Sequence, residues 1–401
     1  MNKKVVIVSA VRTPIGSFMG GLSSITAPKL GAAAIKGALE KIQLDPNLVN
    51  EVYMGNVVQA GVGQAPARQA AIFAGLSNEV ACTTINKVCA SGMKAVMLAS
   101  QAIQCGDADI VIAGGMENMS LIPHYMNLRS GTKFGPNTMV DGMQKDGLTD
   151  AYDNNALGVS ADLCANEYNI SREEQDQFAL ESHLKALKAN ETGAFKNQIV
   201  SIPVEYNFLD ENQKIQTKKF DFSVDEGPRA DTSLEGLAKL RPVFANGGSV
   251  TAGNSSQMSD GAAFVIVMSE EMVKELGLEP EARLVAYAAA GLEPRIMGMG
   301  PIYAIPKALK QAGLELKDID LIELNEAFAS QSVAIKKELN LNPDILNVNG
   351  GAIALGHPLG CTGTKLTVQL LDEMRKRGNK YGMVSMCVGT GQGAASIFEL
   401  L

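Results

Sequence analysis

One cysteine lies where a predicted strand meets a predicted helix, a position that could make its thiol reactive. Cys89 follows a strand over 82–85 and precedes small residues with helical spacing, in the motif Asn-Lys-Val-Cys-Ala-Ser-Gly. The positive end of a helix dipole favours the thiolate, the nucleophilic form of cysteine. Cysteines are also commonly small buried residues, and on spacing alone that structural interpretation is slightly favoured.

One histidine lies in a glycine-rich loop. His357 belongs to the motif Gly-Gly-Ala-Ile-Ala-Leu-Gly-His-Pro-Leu-Gly. Pro358 restricts His357 to extended backbone, and the glycines let a ligand approach the main chain closely. Such a loop needs no imidazole for packing. We therefore expect His357 to be functional and the other two histidines, His124 and His183, to be structural.

Two more motifs begin at the ends of predicted strands. Cys387 opens Cys-Val-Gly-Thr-Gly-Gln-Gly, whose backbone N–H groups could bind an anion or could simply form a hairpin turn. Asn325 opens Asn-Glu-Ala-Phe-Ala after an apolar strand. Open α/β sheets deliver functional side chains at the carboxyl ends of strands, but asparagine is also a common helix N-cap. Each motif keeps two interpretations.

The elements around these motifs indicate an α/β protein with an insertion. Up to about residue 120, β-branched runs alternate with alanine-rich helical segments, which predicts a largely parallel sheet covered by helices. From about 121 to 250 the composition changes, which we interpret as a loop domain containing one helix opened by a capping box at 171–174. The predicted elements are strands over 5–10, 51–58, 82–85, 110–113, 262–268 and 320–324, a helix over 301–312 and a C-terminal hairpin.

The two outer segments resemble each other. Ala38-Leu39 and the residues after it match Ala308-Leu309 and its successors about 270 residues later, and the run 91–94 matches 362–365 at almost the same separation. Two matches in register indicate a duplicated α/β core. Duplication places equivalent helix N-termini on either side of a pseudo-twofold axis, which predicts a shared active site where they meet.

Composition excludes several classes of protein. The chain has 401 residues, enough for two or three domains, and its net charge of −8 provides no global basic field for nucleic acid or anionic lipid. No apolar run approaches the roughly 18 residues of a transmembrane helix. Six cysteines without a C-x-x-C pair argue against a zinc site or a disulfide framework and favour a reducing compartment.

Together and in this order, the four motifs resemble the thiolase family, the acetyl-CoA C-acyltransferases, across essentially the whole chain. The resemblance implies an α/β thiolase fold, with two duplicated βαβαβαββ core domains in a layered α-β-α-β-α arrangement and an inserted loop domain. The implied division is an N-terminal core of 1–120 plus about 257–277, a loop domain of 121–256 for coenzyme A binding and tetramerisation, and a C-terminal core of 278–401.

The resemblance also implies roles for the motif residues. Cys89 would be the acylated nucleophile, and His357 would take its proton and then contribute to an oxyanion hole. Cys387 would move the proton on or off the acetyl α-carbon. Asn325 would hold a water that completes the first oxyanion hole, and N–H groups of Cys89 and Gly389 would form the second. This scheme needs no metal and no permanently bound cofactor, because coenzyme A thioesters are the substrates.

Substrate-binding residues and partners follow from the same resemblance. Ser256 should face the pantetheine and Arg229 the nucleotide of coenzyme A, although a turn serine and a solvated arginine remain alternatives. Leu157, Met297 and Phe328 should also contact the substrate. The segment 119–150 resembles the tetramerisation segment of short-chain members, which predicts a homotetramer built from dimers, with no nucleic-acid or membrane partner. The absence of a leader pattern and of a terminal Ser-Lys-Leu predicts a cytoplasmic location.

Two chain-length classes remain in competition. The runs 114–120 and 146–152 resemble acetoacetyl-CoA thiolases, whereas 225–229, 251–257 and 359–363 resemble the broad-range 3-ketoacyl-CoA thiolases of β-oxidation. Short-chain members usually have His-Met-Gly where this chain has Ala-Leu-Gly at 156–158, which keeps the bulk but loses a histidine. We expect acetyl-CoA C-acetyltransferase activity, with the 3-ketoacyl class as the alternative. A ketoacyl synthase would need a second active-site histidine, and a non-catalytic CoA- or lipid-binding relative would be expected to lose Cys89 or Cys387.

Overall fold

The computed structural model describes residues 3–211 and 213–401, which contain fourteen strands and eleven α-helices. The strands are β1 (Val5–Arg12), β2 (Gly16–Ser17), β3 (Glu51–Gly55), β4 (Ala81–Ile85), β5 (Ile110–Asn118), β6 (His124–Tyr125), β7 (Val140–Asp141), β8 (Ile202–Leu209), β9 (Ile215–Phe222), β10 (Ser259–Ser269), β11 (Ala282–Gly291), β12 (Leu321–Leu324), β13 (Tyr381–Val388) and β14 (Gln392–Leu400). The helices are α1 (Ala27–Ile42), α2 (Pro66–Phe73), α3 (Ser91–Cys105), α4 (Leu157–Glu167), α5 (Arg172–Thr192), α6 (Leu234–Ala238), α7 (Glu270–Leu276), α8 (Pro301–Ala312), α9 (Ala329–Glu338), α10 (Ala352–Leu355) and α11 (Thr362–Arg377).

Local sequence signals set several of these bounds. The helix predicted over 301–312 is α8, with Pro301 in its first turn and a left-handed Gly313 after its last residue. The predicted capping box opens α5, where the Ser171 hydroxyl accepts from the Glu174 N–H and the Glu174 carboxylate accepts in return. The C-terminal hairpin is β13–β14. The strand predicted over 51–58 ends at Gly55, because the N–H groups of 57 and 58 bond to a side chain instead of a strand.

Ten strands form one mixed sheet in the order β12-β13-β14-β11-β1-β10-β5-β3-β4, with β2 paired to β10. The outer pairs β12–β13, β3–β5 and β3–β4 are parallel, whereas every pair between β13 and β5 is antiparallel. The prediction of a largely parallel sheet, made from residues up to about 120, is right for the pairs among the strands of that segment and wrong for the sheet as a whole. Hairpin turns require antiparallel neighbours, and β14 follows β13 through such a turn. β10 returns to the sheet after the long segment that follows β5, and it runs antiparallel to β5.

The sheet consists of two halves with the same internal order. In the N-terminal half β3 pairs with β4 and β5, and β5 pairs with β10, which pairs with β1. In the C-terminal half β12 pairs with β13, β13 with β14 and β14 with β11, and an isolated parallel bridge from Ile322 to Leu346 takes the place of the β3–β4 pair. One Cα pair, Ile7 with Ala282, joins the halves. The predicted duplication is confirmed by this repeated order.

Helices fill three layers around the two sheet halves. Helices α1 and α2 cover the outer face of the N-terminal half, and α8 covers the outer face of the C-terminal half. Between the halves, α3 and α11 pack against each other, and their apolar residues form one buried cluster with both sheets. This is the expected layered α-β-α-β-α arrangement of the thiolase fold. The apolar run 262–268 within β10 follows from its position, since both of its faces are covered.

The N-termini of the two central helices meet closely. A side chain at Gly92 in α3 would lie 2.6 Å from the Thr364 hydroxyl of α11, and one at Gly363 in α11 would lie 2.5 Å from the Met93 nitrogen of α3. The contacts are reciprocal, as a pseudo-twofold axis requires, and glycine is needed at both positions. The segments that precede these helices, with Cys89 and His357, therefore approach the same point.

Candidate active site

A cavity of about 560 Å³ lies where the two core halves meet the segment between β5 and β10. Eight of the ten predicted site residues line it: Cys89, Leu157, Arg229, Ser256, Met297, Phe328, His357 and Cys387. The other two, Asn325 and Gly389, lie directly behind this wall, in contact with His357 and Cys89 respectively. The structure therefore brings the whole predicted set together from positions up to three hundred residues apart.

The Cys89 thiol is buried at the entry to α3. The preceding residue, Val88, has a positive φ of 47°, a strained conformation for a β-branched side chain and one that often marks functional sites. Burial raises the pKa of the Cys89 thiol to about 11, although the backbone N–H groups of Gly389 and of Cys89 itself lower it. Burial therefore opposes the effect expected of the helix N-terminus, and the resting thiol is protonated.

The turn of the β13–β14 hairpin places Gly389 against the thiol. Thr390 and Gly391 both have positive φ, of 72° and 83°, which lets the chain reverse immediately after β13. The glycine-rich motif is thus a hairpin turn, and its first glycine also directs an N–H group at Cys89. Two N–H groups that converge on one sulfur are suited to stabilising negative charge that develops beside it.

The hydrogen bonds of His357 determine its tautomer. Its Nδ1 lies 2.6 Å from the Thr362 hydroxyl, which itself donates to the Pro358 carbonyl at 2.9 Å. The hydroxyl must therefore accept, so the ring proton is on Nδ1 and Nε2 carries the lone pair. Burial and, to a smaller extent, the positive charge of Lys365 lower the pKa of His357 to about 3. The resting imidazole is neutral, and its Nε2 can accept a proton.

Asn325 lies behind His357 at the end of β12. Its Nδ2 donates to His357 Nε2 over a long 3.4 Å, and its backbone N–H donates to Ser385 on β13. Its amide oxygen is buried without a hydrogen-bond partner among the described residues. The next helix, α9, has Phe328 as its N-cap residue, so the alternative interpretation of Asn325 as a helix cap is wrong. Its side chain is left free to act in the site.

Cys387 is the last residue but one of β13 and forms the apolar side of the cavity. It packs in a buried cluster with Leu157, Met297, Ala327 and Phe328. Burial raises the pKa of Cys387 well above its usual value, and the thiols of Cys89 and Cys164 raise it further. The second thiol is therefore protonated at rest, in apolar surroundings that would also fit a small acyl group.

Ser256 and Arg229 also line the cavity, from the segment between β5 and β10. The Ser256 backbone N–H donates to the Ala327 carbonyl at 2.9 Å, which joins this segment to the chain after β12. Arg229 is exposed at the cavity mouth, and its backbone N–H donates to Nδ1 of His183 at 3.1 Å. His183 is buried and bonded in this way, which agrees with its expected structural role.

Several residues of the site had no role in the sequence analysis. Phe244 lines the cavity and meets Phe328 edge to face, with ring centroids 6.1 Å apart. Buried Lys365, in the first turn of α11, donates to the Gly356 carbonyl at 3.1 Å, next to His357. Buried Glu117 accepts from the Gly360 N–H at 2.8 Å. A charged residue in an otherwise apolar or small-residue run was the signal that could have found the last two.

Two absences hold for residues 3–211 and 213–401. No helix there is both long and apolar enough to cross a membrane. No group of three or more His, Cys, Asp or Glu side chains in that part of the chain is arranged to hold a metal ion.

Two family models match the chain. Thiolase, N-terminal domain, matches residues 5–271, and Thiolase, C-terminal domain, matches residues 278–400. The acetyl-CoA acetyltransferase of Pseudomonas aeruginosa is 50% identical over 392 residues, which are 98% of each chain. The acetyl-CoA acetyltransferase of Escherichia coli K12 is 49% identical over 401 residues, covering 100% of both chains.

Solved structures agree with these matches. The crystal structure of the Bacillus anthracis acetyl-CoA acetyltransferase has a TM-score of 0.95 at 43% identity, covering 100% of this chain and 99% of that chain. Human mitochondrial 3-ketoacyl-CoA thiolase has a TM-score of 0.93 at 42% identity, covering 99% of each chain. The motif order, the repeated core and these full-length matches lead to one conclusion: the chain belongs to the thiolase family.

Proposed function

We propose that the protein is an acetyl-CoA acetyltransferase, which reversibly condenses two molecules of acetyl-CoA to acetoacetyl-CoA and coenzyme A through an acetyl-Cys89 intermediate. The observation that carries the proposal is that two thiols and a neutral imidazole, from Cys89, Cys387 and His357, line one cavity. The curated relatives that share about half of their residues with this chain over their full length are named for this activity.

In the cleavage direction, Cys89 sulfur attacks the keto carbon of acetoacetyl-CoA while its proton moves to Nε2 of His357. Both groups are uncharged at rest, because burial raises the pKa of the thiol to about 11 and lowers that of the imidazole to about 3. Proton transfer must therefore accompany the attack. The transfer turns Nε2 from an acceptor into a donor, which can then stabilise the enolate oxyanion that forms when the carbon–carbon bond breaks.

The carbon–carbon bond then breaks, and the electron pair leaves as the enolate of acetyl-CoA. The Cys387 thiol gives its proton to the enolate α-carbon, which releases acetyl-CoA and leaves a Cys387 thiolate. The raised pKa of Cys387 supports this role, because the resting group is the neutral thiol that the step consumes. The thiol of coenzyme A next gives its proton to Cys387 and attacks acetyl-Cys89. The Cys89 sulfur leaves and recovers the proton from His357.

The oxyanion donors belong to two sets. His357, together with a water held by Asn325, forms the first set, and this role is supported by the contact between the two side chains and by the free amide oxygen of Asn325. The N–H groups of Cys89 and Gly389 form the second set, beside the acylated sulfur. Loss of one such donor in other enzymes costs about 2.7–4 kcal/mol of transition-state stabilisation.

Substrate length is set by the apolar wall around Cys387. Leu157, Met297 and Phe328 close the space behind the second thiol, and Phe244 supports Phe328 from the side. A closed wall of bulky side chains favours the acetyl group. Ser256 and Arg229, on the open side of the cavity, are assigned to the pantetheine and the nucleotide of coenzyme A.

A broad-range 3-ketoacyl-CoA thiolase is the second candidate, because the structure of the human mitochondrial 3-ketoacyl-CoA thiolase is almost as similar as that of the B. anthracis acetyltransferase. The deciding measurement is kcat/KM for CoA-dependent cleavage of acetoacetyl-CoA against a 3-ketoacyl-CoA of about eight carbons. Each methylene that a fitted pocket rejects changes the ratio by about 10- to 200-fold. Preference for the four-carbon substrate supports the proposal, comparable rates favour the second candidate, and no turnover of either contradicts both.

The domain division, the oligomeric state and the cellular location are also proposals. We infer three units with the boundaries given above, a homotetramer built from dimers, and a cytoplasmic location. The segment 119–150 supports the tetramer, because Leu121, Leu128, Phe134 and Met139 are exposed there, and apolar side chains grouped on one protruding segment are typical of an interface. Light scattering should give about four times the monomer mass of 42.3 kDa. A dimer in solution would contradict this assignment.

A further inference from the structure

The loop that carries His357 is inserted into the N-terminal half of the core. The carbonyl of Gly360 reaches positions where three glycines of that half leave space. A side chain at Gly55 would lie 2.6 Å from the Gly360 oxygen, one at Gly92 would lie 2.9 Å from it, and one at Gly115 would overlap it. We call Gly55, Gly92 and Gly115 the glycine socket. They lie in three different elements, at the end of β3, in the first turn of α3 and within β5, so the socket is built by the fold as a whole.

A buried carboxylate holds the inserted loop in the socket. Glu117, at the end of β5, accepts from the Gly360 N–H at 2.8 Å. The same carboxylate accepts from the Val57 N–H at 2.9 Å, the Val58 N–H at 3.2 Å and the Asn56 side-chain amide at 2.8 Å. One side chain thereby joins a backbone segment of the N-terminal half to the catalytic loop of the C-terminal half.

Each of the two segments that Glu117 joins contacts a reactive group. Val57 and Val58 pack in the buried cluster that contains Cys89 and Leu359. On the other side, Gly360 is followed after one residue by Thr362, whose hydroxyl fixes Nδ1 of His357. The relative position of the thiol and the imidazole therefore depends on the geometry around Glu117.

Burying a carboxylate is costly unless the groups around it replace the hydrogen bonds of water. Its side chain is almost completely buried, and the charge that acts on it most is another carboxylate, Asp260. Four N–H donors compensate for the loss of water. Glutamine could not replace it, because its NH₂ group would face N–H groups that need acceptors. Acceptor-only chemistry on both oxygens is what the position demands.

We propose that Glu117 is a positioning residue of the thiolase reaction, which holds the His357 loop in the glycine socket so that Nε2 of His357 is aligned with the Cys89 thiol. The inference rests on the proposed function and adds a residue to it. It assigns Glu117 no contact with substrate. A misplacement of about 1 Å in such an alignment can lower a rate by about 100-fold.

The test compares Glu117→Gln with wild type in the single-turnover acetylation of Cys89 by acetyl-CoA. Each rate is divided by the number of Cys89 sites that become acetylated at the end of the reaction, which gives a rate per site. We expect the rate per site to fall by about 10- to 100-fold, with less than a twofold change in KM, because Ser256 and Arg229 do not touch Glu117. Glu117→Asp keeps two acceptor oxygens and should recover part of the rate.

Ser9→Ala is the control. It removes a buried hydrogen bond of 2.8 Å to the Ala38 carbonyl, far from the cavity, and should lower stability without changing the rate per site.

A merely structural role would lower the number of Cys89 sites that become acetylated and leave the rate per site unchanged, as in the control, and this result would overturn the proposal. If Glu117→Gln does not fold, Asn56→Ala provides a milder change, because it removes only one donor to the carboxylate. It should lower the rate per site in the same direction, and an unchanged rate would again reject the proposal. Failure of the wild-type protein to acetylate would instead contradict the proposed function itself.

Discussion

The two halves of the core have one strand order but different residues at equivalent positions. The N-terminal half has Gly55 at the end of β3, where the C-terminal half has Asn325 after β12. It has Met116 on β5, directed into its own outer core, where the C-terminal half has Cys387 on β13, directed into the cavity. Glycines of the N-terminal half leave space at these positions, whereas the C-terminal half has functional side chains there that point into the cavity or lie behind its wall.

This difference shows how a duplicated scaffold can serve a reaction that needs unlike groups. A symmetric pair of halves would present two identical sets of side chains, whereas the proposed chemistry needs one nucleophile and one separate acid/base. In this chain the N-terminal half contributes the thiol at a helix entry, and the C-terminal half contributes His357, Asn325 and Cys387 from loops and a strand end. The asymmetry can be tested one position at a time.

Removal of the thiol of the N-terminal half should have the largest effect. Cys89→Ala should abolish the acetyl-enzyme and lower overall turnover by at least about 10⁴-fold, since no other group at this place can hold the acyl chain. Mass spectrometry after incubation with acetyl-CoA provides the measurement. An acetyl group that remains on another cysteine of this variant would show that the nucleophile has been assigned to the wrong half.

Removal of the thiol of the C-terminal half should affect a different step. Cys387→Ala should still acetylate at Cys89 but should exchange the α-protons of acetyl-CoA about 10²- to 10⁴-fold more slowly, because the acid/base is lost. Deuterium exchange followed by NMR measures this rate, and acetylation of the same sample is the control. Normal exchange would contradict the division of labour between the two thiols.

A side chain in the glycine socket should disturb the packing of the two halves. Gly115→Ala places a methyl group against the Gly360 carbonyl, which is backbone and cannot move aside, so we expect a loss of about 3 kcal/mol in the free energy of unfolding together with slower acetylation. Gly291→Ala is the matched control at the end of β11, where no neighbour lies within 4 Å of the added atom, and should change stability by less than about 0.5 kcal/mol. Equal effects of the two changes would mean that the inserted loop does not depend on the socket.

The smallest effect concerns the charge of Lys365 and is visible only in the pH dependence. Burial and the Lys365 ammonium both lower the pKa of His357, to about 3, so the base is neutral above that pH. Lys365→Met should raise the pKa of His357 by less than about one unit and move the acid limb of the acetylation rate to higher pH, whereas Lys365→Arg should keep it in place. The groups that face Lys365 are Arg12, Asp225, Cys361 and Glu323, and none of them is changed in either variant. If the acid limb of the pH–rate profile does not move in Lys365→Met, burial alone keeps His357 neutral.

Much of this protein could be predicted from its sequence, because the relevant signals are local. The helix α8, the capping box of α5 and the strand runs of β1, β5 and β10 follow from periodicity and end signals within a few residues. The duplication was readable because both copies keep the same spacing. The motif residues Cys89, His357, Cys387 and Asn325 were recognisable because their types and their order suit one chemistry.

Other features were decided only by the tertiary structure. Strand direction in the centre of the sheet depends on where β10 and β14 return, which no local pattern records. The protonation states of Cys89 and His357 depend on burial by residues far away in the sequence, which no local pattern shows. Glu117, Lys365 and Phe244 make their contacts in the site only because the fold brings distant segments together. Residue types and spacing are properties of the chain, whereas desolvation and hydrogen-bond partnership are sums over contacts that only the folded molecule brings together.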